Sequence, residues 1–358
     1  MADVYERLKR FQQNNSGSVT GSAPPELPSA QTPASAHSPA SKIEKLSHLP
    51  GVVRGRDLLG AAQKREEKKH HFLNSIGVME SANETGTYGV KDVVYPVDQM
   101  SCCAEEISGM EMYRQCHDER MAGLDGSRLL FIDTETTGLA GGTGTVPFMI
   151  GVGYFENQSF VVRQFFMRDY DDEPAILQEV HELLQRFDGV CTYNGKCFDV
   201  PLLHSRFLLN RQRTRIADLP HFDLLYSARR FWRELLPNCQ LSTVEASIFG
   251  HRRVQDVPSE MIPYIYFDYL RGIRMSRIKP VFAHNAEDIR TLAMIAARAC
   301  RMMRNPLQEC QYAHELIGMA RYCLAEEDEE QAAEFLYQAM QSRELDRHWS
   351  FPSASSFP

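Results

Sequence analysis

Residues 128–145 read RLLFIDTETTGLAGGTGT, and this stretch decides the fold. The compact apolar run RLLFID predicts a strand, and the glycine-rich loop behind it leads to two further strand candidates, VPFMIGVGYF and SFVVRQFFM. Three sequential strands with short links predict an antiparallel start to a sheet. Residues two apart in a strand share a face, so Asp133 and Glu135 are expected to project together at the strand's end.

This carboxylate pair has two interpretations. Two adjacent acids repel each other unless a cation neutralises them, and hard divalent cations such as Mg²⁺ or Mn²⁺ prefer carboxylate oxygens. The alternative is an exposed, solvated strand end followed by a Thr-Thr-Gly turn. The pair alone does not decide between a metal site and a turn.

The elements after the third strand extend the pattern. A helix is predicted over residues 173–187, and Gly189 leads into a short strand, VCTYN. The resulting order βββαβα is typical of an α/β fold of the ribonuclease-H-like class, with a mixed five-stranded sheet flanked by helices and followed by a small α-helical hairpin. Further helices are predicted at residues 201–210, 242–249 (opening with a Ser242-x-x-Glu245 capping box) and 287–303.

Two more acids lie in distinctive contexts. In TYNGKCFDVPLL, Asp199 follows a buried strand and an Asn-Gly turn and stands just ahead of an apolar helix. In FAHNAEDIRTLAMIA, Asp288 is expected in the first turn of a helix, with Asn285 as a possible capping partner. Taken singly, each acid fits a helix cap, and His284 fits a structural histidine that braces the loop before the last helix.

Together these segments resemble the three exonuclease motifs of the DEDD superfamily, with TYNGKCFDVP in the form also seen in family B polymerase proofreading domains. More specifically, the chain resembles the YprB family of ribonuclease-H-like proteins over residues 126–304, including DTETTGLAGGTGT, YNGKCFDVPLL, DLLYSARR and HNAEDIRTL. The resemblance implies that two Mg²⁺ or Mn²⁺ ions are held by Asp133, Glu135, Asp199 and Asp288.

The resemblance also assigns His284 as general base, a task that suits a neutral imidazole near pH 7. The sequence departs from the family pattern here. The histidine branch of the superfamily spaces this pair HxxxxD, whereas this chain has HxxxD, the spacing of the tyrosine branch.

The charge distribution favours a polyanionic partner. The formal net charge is -8, yet residues 201–304 carry 17 Lys or Arg against 9 Asp or Glu. Clusters such as RQRTR and ARRFWR could follow phosphates, although solvated helix faces explain them equally well. The predicted nucleic-acid contacts are Thr136, Asn194, Arg229, Arg230 and Asn285.

The chain divides into segments by composition. The Ser/Pro/Ala-rich arm and the polar tail can bury too little apolar surface to offset the conformational entropy lost on ordering. Both are therefore expected to be disordered. The irregularly spaced cysteines, the charged N-terminus and the short apolar runs predict a cytoplasmic protein with no membrane contact. The predicted segments are an arm (1–45), an N-terminal extension of unknown structure (46–125), a ribonuclease-H-like exonuclease domain (126–304), a tetratricopeptide-like helical hairpin (307–346) and a tail (347–358).

The leading hypothesis is a two-metal nuclease that cleaves single-stranded nucleic acid or 3′ ends in the 3′-5′ direction. A second hypothesis is a non-catalytic nucleic-acid-binding scaffold whose C-terminal helices recruit a protein partner. A third is an endonuclease on the same fold, because the metal chemistry is common to both.

Overall fold

A computed structural model describes residues 55–138, 144–253 and 256–341 of the 358-residue chain. The predicted arm and tail lie outside these residues. The chain divides into two compact units, Met1–Gly60 and Ala61–Pro358, and the fold described below is that of the second unit.

Within the described residues, one mixed seven-stranded sheet forms the centre of the fold, in the order β1-β2-β5-β4-β3-β6-β7. Strands β3, β4 and β5 pair antiparallel, as predicted, and β6 and β7 continue the sheet in parallel with β3. The ribonuclease-H-like fold class is therefore confirmed. The strands are β1 Met79–Asn83, β2 Gly86–Pro96, β3 Leu129–Thr136, β4 Pro147–Glu156, β5 Ser159–Phe166, β6 Gly189–Thr192 and β7 His221–Asp223.

The sheet has two strands more than the five predicted, because the segment before residue 126 contributes β1 and β2. Strand β2 pairs antiparallel with β5 over eight residues. Only Tyr88 and Gly89 of this strand are buried and its other residues are half-buried or exposed, so its apolar pattern is weak in the sequence. The extension thus forms one edge of the sheet.

Strand β3 lies in the middle of the sheet and is buried on both faces. Its alternating side chains enter two separate cores: Leu129 and Phe131 pack in one, and Leu130 and Ile132 in the other. Asp133 and Glu135 continue the face of Phe131. That face is covered by the longest helix, Ile278–Arg304.

Eleven α-helices accompany the sheet in the described part of the chain. The helix predicted from residue 287 begins at Ile278 instead, so Asp288 lies in mid-helix and Asn285 cannot cap it. Helix Leu241–Ile248 begins one residue before Ser242, and the predicted capping box does not form. The helices are α1 Gly55–Ser75, α2 Gly109–Cys116, α3 Glu173–Arg186, α4 Asp199–Leu209, α5 Leu224–Trp232, α6 Leu241–Ile248, α7 Ile262–Leu270, α8 Ile278–Arg304, α9 Pro306–Glu309, α10 Ala313–Ala325 and α11 Glu329–Gln341.

The C-terminal hairpin of α10 and α11 packs on the sheet domain through a buried polar contact. Glu315 is fully buried and accepts hydrogen bonds from Trp232 Nε1 at 2.7 Å and Arg298 Nη2 at 2.8 Å. Trp232 is therefore a core residue. Within the hairpin, Ala320, Ala332 and Ala339 are buried, whereas Leu336 is 41% exposed.

Candidate active site

The end of β3 carries the first two acids in a buried setting. Glu135 is 8% exposed and Asp133 is half-buried, so an exposed, solvated strand end does not describe this pair. The register of β3 against β4 shifts between Glu135 and Thr136, where the paired region ends. Both carboxylates face α8, in keeping with the period of two along the strand.

The second motif brings Asp199 to the same strand from the opposite face. Asp199 is the first residue of α4, and its Oδ1 accepts a hydrogen bond of 2.6 Å from the hydroxyl of Thr134. It lies inside the helix rather than at the cap, which is Phe198. The short turn before α4 is held by Asp223, whose carboxylate accepts from the backbone N–H groups of Asn194 and Lys196.

The third motif lies on α8, where His284, Asn285 and Asp288 face the sheet. Asn285 is fully buried: its Nδ2 donates to Asp133 Oδ2 at 2.8 Å, and its Oδ1 accepts from Gln164 Nε2 at 2.9 Å. The helix approaches β4 so closely that a Cβ at Gly151 would lie 2.2 Å from Asn285 Oδ1. Glycine at this position is therefore required by the contact.

The helical position of His284 resolves the meaning of its spacing. Residues four apart on a helix lie on one face, and His284 Nε2 is 3.2 Å from Asp288 Oδ2. The same nitrogen is 4.0 Å from Glu135 Oε1, while Nδ1 is 2.7 Å from Asp256 Oδ1. The HxxxD spacing thus places the imidazole among the acids, on a helix rather than in the loop before it.

Glu245, Arg253 and Asp256 form a group of contacts that the sequence does not predict. Arg253 donates to Asp288 Oδ1 at 2.5 Å through Nη2 and to Glu245 Oε2 at 2.6 Å through Nε. Its Nη1 is 3.3 Å from His284 Nδ1, and Asp256 pairs with the same imidazole. A loop residue such as Arg253 carries no periodic signal in the sequence.

The crowding of acids shifts their proton affinities. Burial and the charges of Asp288, Glu135 and Asp199 raise the pKa of Asp133 well above its ordinary value. Burial, reinforced by Asp288 and Asp199, raises the pKa of Glu135 to about 8, and burial raises the pKa of Asp199 to about 6. These carboxylates therefore bind protons in the absence of another positive charge.

Asp288 and His284 form an ion pair within this cluster. Burial opposes both charges, but the hydrogen bonds and charges of His284 and Arg253 hold the pKa of Asp288 below its ordinary value. In the same way, burial opposes the imidazolium, but Asp288, Glu135 and Asp256 raise the pKa of His284 well above its ordinary value. The chain's own charges thus favour the imidazolium at pH 7, in contrast to the neutral imidazole expected from the sequence.

The predicted nucleic-acid contacts divide into accessible and enclosed residues. Arg229 is exposed and lines a cavity of about 510 Å³ together with Asn194, next to the second motif. Arg230 instead packs over the Tyr322 ring of α10 at 5.2 Å. Thr136 is buried with its hydroxyl on Gly138 O, and Asn285 is enclosed beside Asp133.

The positive charge of residues 201–304 is also partly used inside the protein. Arg206 pairs with Glu173, Arg298 with Glu315, and Arg301 with Glu106 and Glu309. These arginines stabilise contacts between elements. The charge count of this segment therefore overstates the positive charge available to a polyanion.

The sheet order is that of a ribonuclease-H-like fold, and sequence comparison agrees. Residues 130–300 match the RNase_H superfamily. The chain is also similar to "Uncharacterized protein YprB" of Bacillus subtilis (strain 168), at 29% identity over 252 residues, which are 68% of this chain and 60% of that protein. These matches support the assignment of this domain to an RNase H-like family.

The chain spans about 60% of the length of this curated relative. Among solved structures, it is similar to the family B DNA polymerase from the hyperthermophilic archaeon Pyrobaculum calidifontis, with a TM-score of 0.36 and 14% identity. That alignment covers 54% of this chain and 28% of the polymerase chain.

Proposed function

We propose that this chain is a metal-dependent nuclease that hydrolyses phosphodiester bonds of single-stranded nucleic acid from the 3′ end. The observation that carries the proposal is the convergence of Asp133, Glu135, Asp199 and Asp288, from one strand and two helices, in a single buried cluster. Such crowding raises the free energy of the folded protein, and a site that must bind cations explains it.

The donor set fits two hard divalent cations such as Mg²⁺ or Mn²⁺. Glu135 Oε1 is buried with no hydrogen-bond partner among the described residues, and it points toward His284 and Asp288. One oxygen of Glu135 and one of Asp288 lie within 4.8 Å of a nitrogen of His284. Asp133, Glu135, Asp199 and Asp288 would hold the ions, which would supply charge compensation for the phosphodiester and activate water.

The other polar residues of the site prepare this arrangement. Asn285 fixes the Asp133 carboxylate, since its own amide is held by Gln164. Thr134 fixes Asp199 in the same way. These hydrogen bonds orient the carboxylates before a substrate binds.

His284 is the proposed proton acceptor. A cation bound to Glu135 and Asp288 would weaken the negative field around the imidazole and lower its pKa, so that Nε2 could accept a proton from water. Asp256 holds Nδ1 at 2.7 Å and so fixes the ring orientation. Asp256 is a positioning residue in this proposal.

The nucleic acid would enter beside the second motif. The cavity of about 510 Å³ lined by Tyr193, Asn194, Arg229 and Arg233 has the size of a nucleotide site and offers two cations to phosphates. Tyr193 donates its hydroxyl to Cys239 O at 2.7 Å, which keeps the ring along the cavity wall. A base could stack on this ring.

The proposal is tested with 5′-labelled single-stranded RNA and DNA, incubated with the full chain in Mn²⁺, Mg²⁺ or EDTA. We expect a ladder that shortens from the 3′ end with metal and is lost in EDTA and in Asp133→Ala. Asp171→Asn is the control, because that exposed acid lies in the turn before α3. Cleavage that persists in EDTA or in Asp133→Ala would contradict the two-metal assignment.

The same assay separates the alternatives. Metal-dependent internal cuts would indicate an endonuclease on this fold. Binding to nucleic acid without cleavage would indicate the scaffold whose C-terminal hairpin recruits a partner. Either result would overturn the exonuclease proposal.

A further inference from the structure

A second group of metal-ligand side chains lies outside the acid cluster. Glu245 is on α6, His251 is in the loop that follows, and Glu287 is on α8. His251 Nε2 is 3.7 Å from Glu245 Oε1 and 3.5 Å from Glu287 Oε2, and all three atoms lie within 4.8 Å of one another. We infer that these residues form a separate Zn²⁺ site.

The distances match ligands that share one ion. Two ligands of a tetrahedral ion with bonds of about 2.1 Å lie about 3.4 Å apart. The two measured separations from His251 are close to this value. They are too long for hydrogen bonds, so a protonated His251 would not satisfy either carboxylate in this arrangement.

The burial of Glu245 supplies an independent argument. Glu245 is 1% exposed, and its Oε2 accepts from Arg253, while Oε1 has no hydrogen-bond partner within residues 55–138, 144–253 and 256–341. A buried carboxylate oxygen without a donor is costly. Oε1 points toward His251 Nε2, where a cation would complete its coordination.

The ligand types favour Zn²⁺ over the cations proposed for the acid cluster. An imidazole nitrogen with two carboxylates suits Zn²⁺, whereas Mg²⁺ prefers oxygen ligands alone. The His251 side chain is 42% exposed, so water can supply a fourth ligand. Arg290 Nη2 lies 3.0 Å from Glu287 Oε2 and would compete with the ion for this oxygen.

The position of the site gives the ion a structural role. It would tie the loop after α6 to α8, one residue before Asp288. Arg253 connects the two groups, because it binds Glu245 and Asp288 at the same time. A bound Zn²⁺ would thus fix the arginine that contacts the last acid of the cluster.

The test measures bound Zn²⁺ rather than nuclease activity, so it is independent of the proposed function. The background is the full chain carrying Asp133→Asn and Glu135→Gln, which disables the acid cluster. After chelator treatment, dialysis against Zn²⁺ and removal of free metal, metal analysis should give one Zn²⁺ per chain in this background. Adding His251→Asn, or separately Glu287→Gln, should reduce this to none.

His117→Asn is the matched control, because His117 is largely exposed and adopts a left-handed conformation that asparagine tolerates. This control should keep its Zn²⁺, and circular dichroism should show that every variant is folded. Zn²⁺ should raise the melting temperature of the background and leave that of the His251→Asn variant unchanged. Equal Zn²⁺ content with and without His251→Asn, or no Zn²⁺ in the background, would overturn the inference.

Discussion

The proposed role of His284 depends on Asp256, which contacts Nδ1 of its imidazole. Asp256 Oδ1 accepts a hydrogen bond from His284 Nδ1 at 2.7 Å, and Nε2 points toward Glu135 and Asp288. Loss of such an outer partner typically costs about 10- to 100-fold in activity or metal affinity. If His284 is the general base, Asp256→Asn should lower kcat by about this factor and barely change the Mn²⁺ affinity.

Kinetics and calorimetric Mn²⁺ titration of Asp256→Asn and His284→Gln check this prediction. Asp171→Asn serves again as the neutral surface substitution. A parallel fall in Mn²⁺ affinity and turnover would show that His284 binds metal or supports the fold rather than accepting a proton.

His221, on β7, leads to a prediction of how the stability of the fold depends on pH. Burial lowers the pKa of His221 to about 4, although nearby Asp223 opposes the shift, and Nε2 lies 2.8 Å from the Thr192 hydroxyl. The unfolded chain binds this proton near pH 6.5 and the folded chain only near pH 4, so stability is lost as the pH falls between these values. The loss is about 3 kcal/mol.

Urea unfolding of the wild type and His221→Asn at pH 7.5, 5.5 and 4.5 measures this contribution. The variant should lose less stability than the wild type on acidification, because it lacks the titrating group. Parallel pH profiles for the two proteins would contradict the assignment to His221.

At the scale of elements, the start of α8 explains what the sequence could and could not predict. The apolar periodicity after residue 287 predicts a helix, but Pro280 makes the residues before it look non-helical in the sequence. Proline is tolerated in the first turn, where backbone N–H groups have no intrahelical partner, and α8 begins at Ile278. The sequence therefore predicts Asp288 in the first turn of this helix, whereas it lies in mid-helix, and His284 lies on the helix rather than in the loop before it.

Local sequence patterns predict the strands around β3 because of the way these strands are buried. Central strands are buried on both faces and read as continuous apolar runs, whereas β2, next to the edge strand β1, is largely half-buried or exposed and gives little signal. Arg253 and Asp256 could not be found, because their contacts arise from tertiary packing of a loop. Local sequence patterns therefore indicate the candidate acids, whereas the loop residues that contact them leave no such pattern.

The contact between α10 and α5 sets a steric limit at Gly318. A Cβ there would lie 2.5 Å from the backbone oxygen of Arg230. Alanine normally stabilises a helix relative to glycine, yet here overpacking should cost about 1–3 kcal/mol. Gly318→Ala should therefore lower the free energy of unfolding and loosen the docked hairpin.

Gly123→Ala is the matched control, because a Cβ at that position meets nothing within 4 Å. Urea unfolding and limited proteolysis between α10 and α11 compare the two variants. Stability equal to that of Gly123→Ala would show that the hairpin can shift without cost.

At the scale of the whole molecule, the proposed metal site would couple folding to the binding of cations. The raised pKa of Asp133 means that its charge is less favourable in the folded chain than in the unfolded chain. Asp133→Asn should therefore raise the melting temperature in EDTA. In Mn²⁺ the order should reverse, because the wild type gains stability by binding and the variant gains less.

Thermal unfolding at pH 7 in EDTA, in Mn²⁺ and in Ca²⁺ gives the melting temperatures of the wild type and Asp133→Asn, and so tests the order expected without and with metal. Asp171→Asn should behave like the wild type in every condition. A lower melting temperature of Asp133→Asn in EDTA would show that the carboxylate stabilises the fold by itself.

No helix in the described ranges is long and apolar enough to cross a bilayer. The more informative global feature is the sheet that continues past the domain boundary suggested by the motifs. Strand β2 also carries Lys91 and Tyr95 into a cavity of about 680 Å³ bordered by His251 and His284. The segment before residue 126 therefore forms part of the wall next to the acids.

The pairing of β2 with β5 has a practical consequence for any fragment of this protein. A fragment cut at the start of the motif-bearing region would leave the backbone N–H and C=O groups of β5 unpaired along a long, largely apolar edge. Open edges of this kind recruit strands from other molecules. The shortest soluble fragment should consequently begin before Met79, and shorter ones should self-associate through β5.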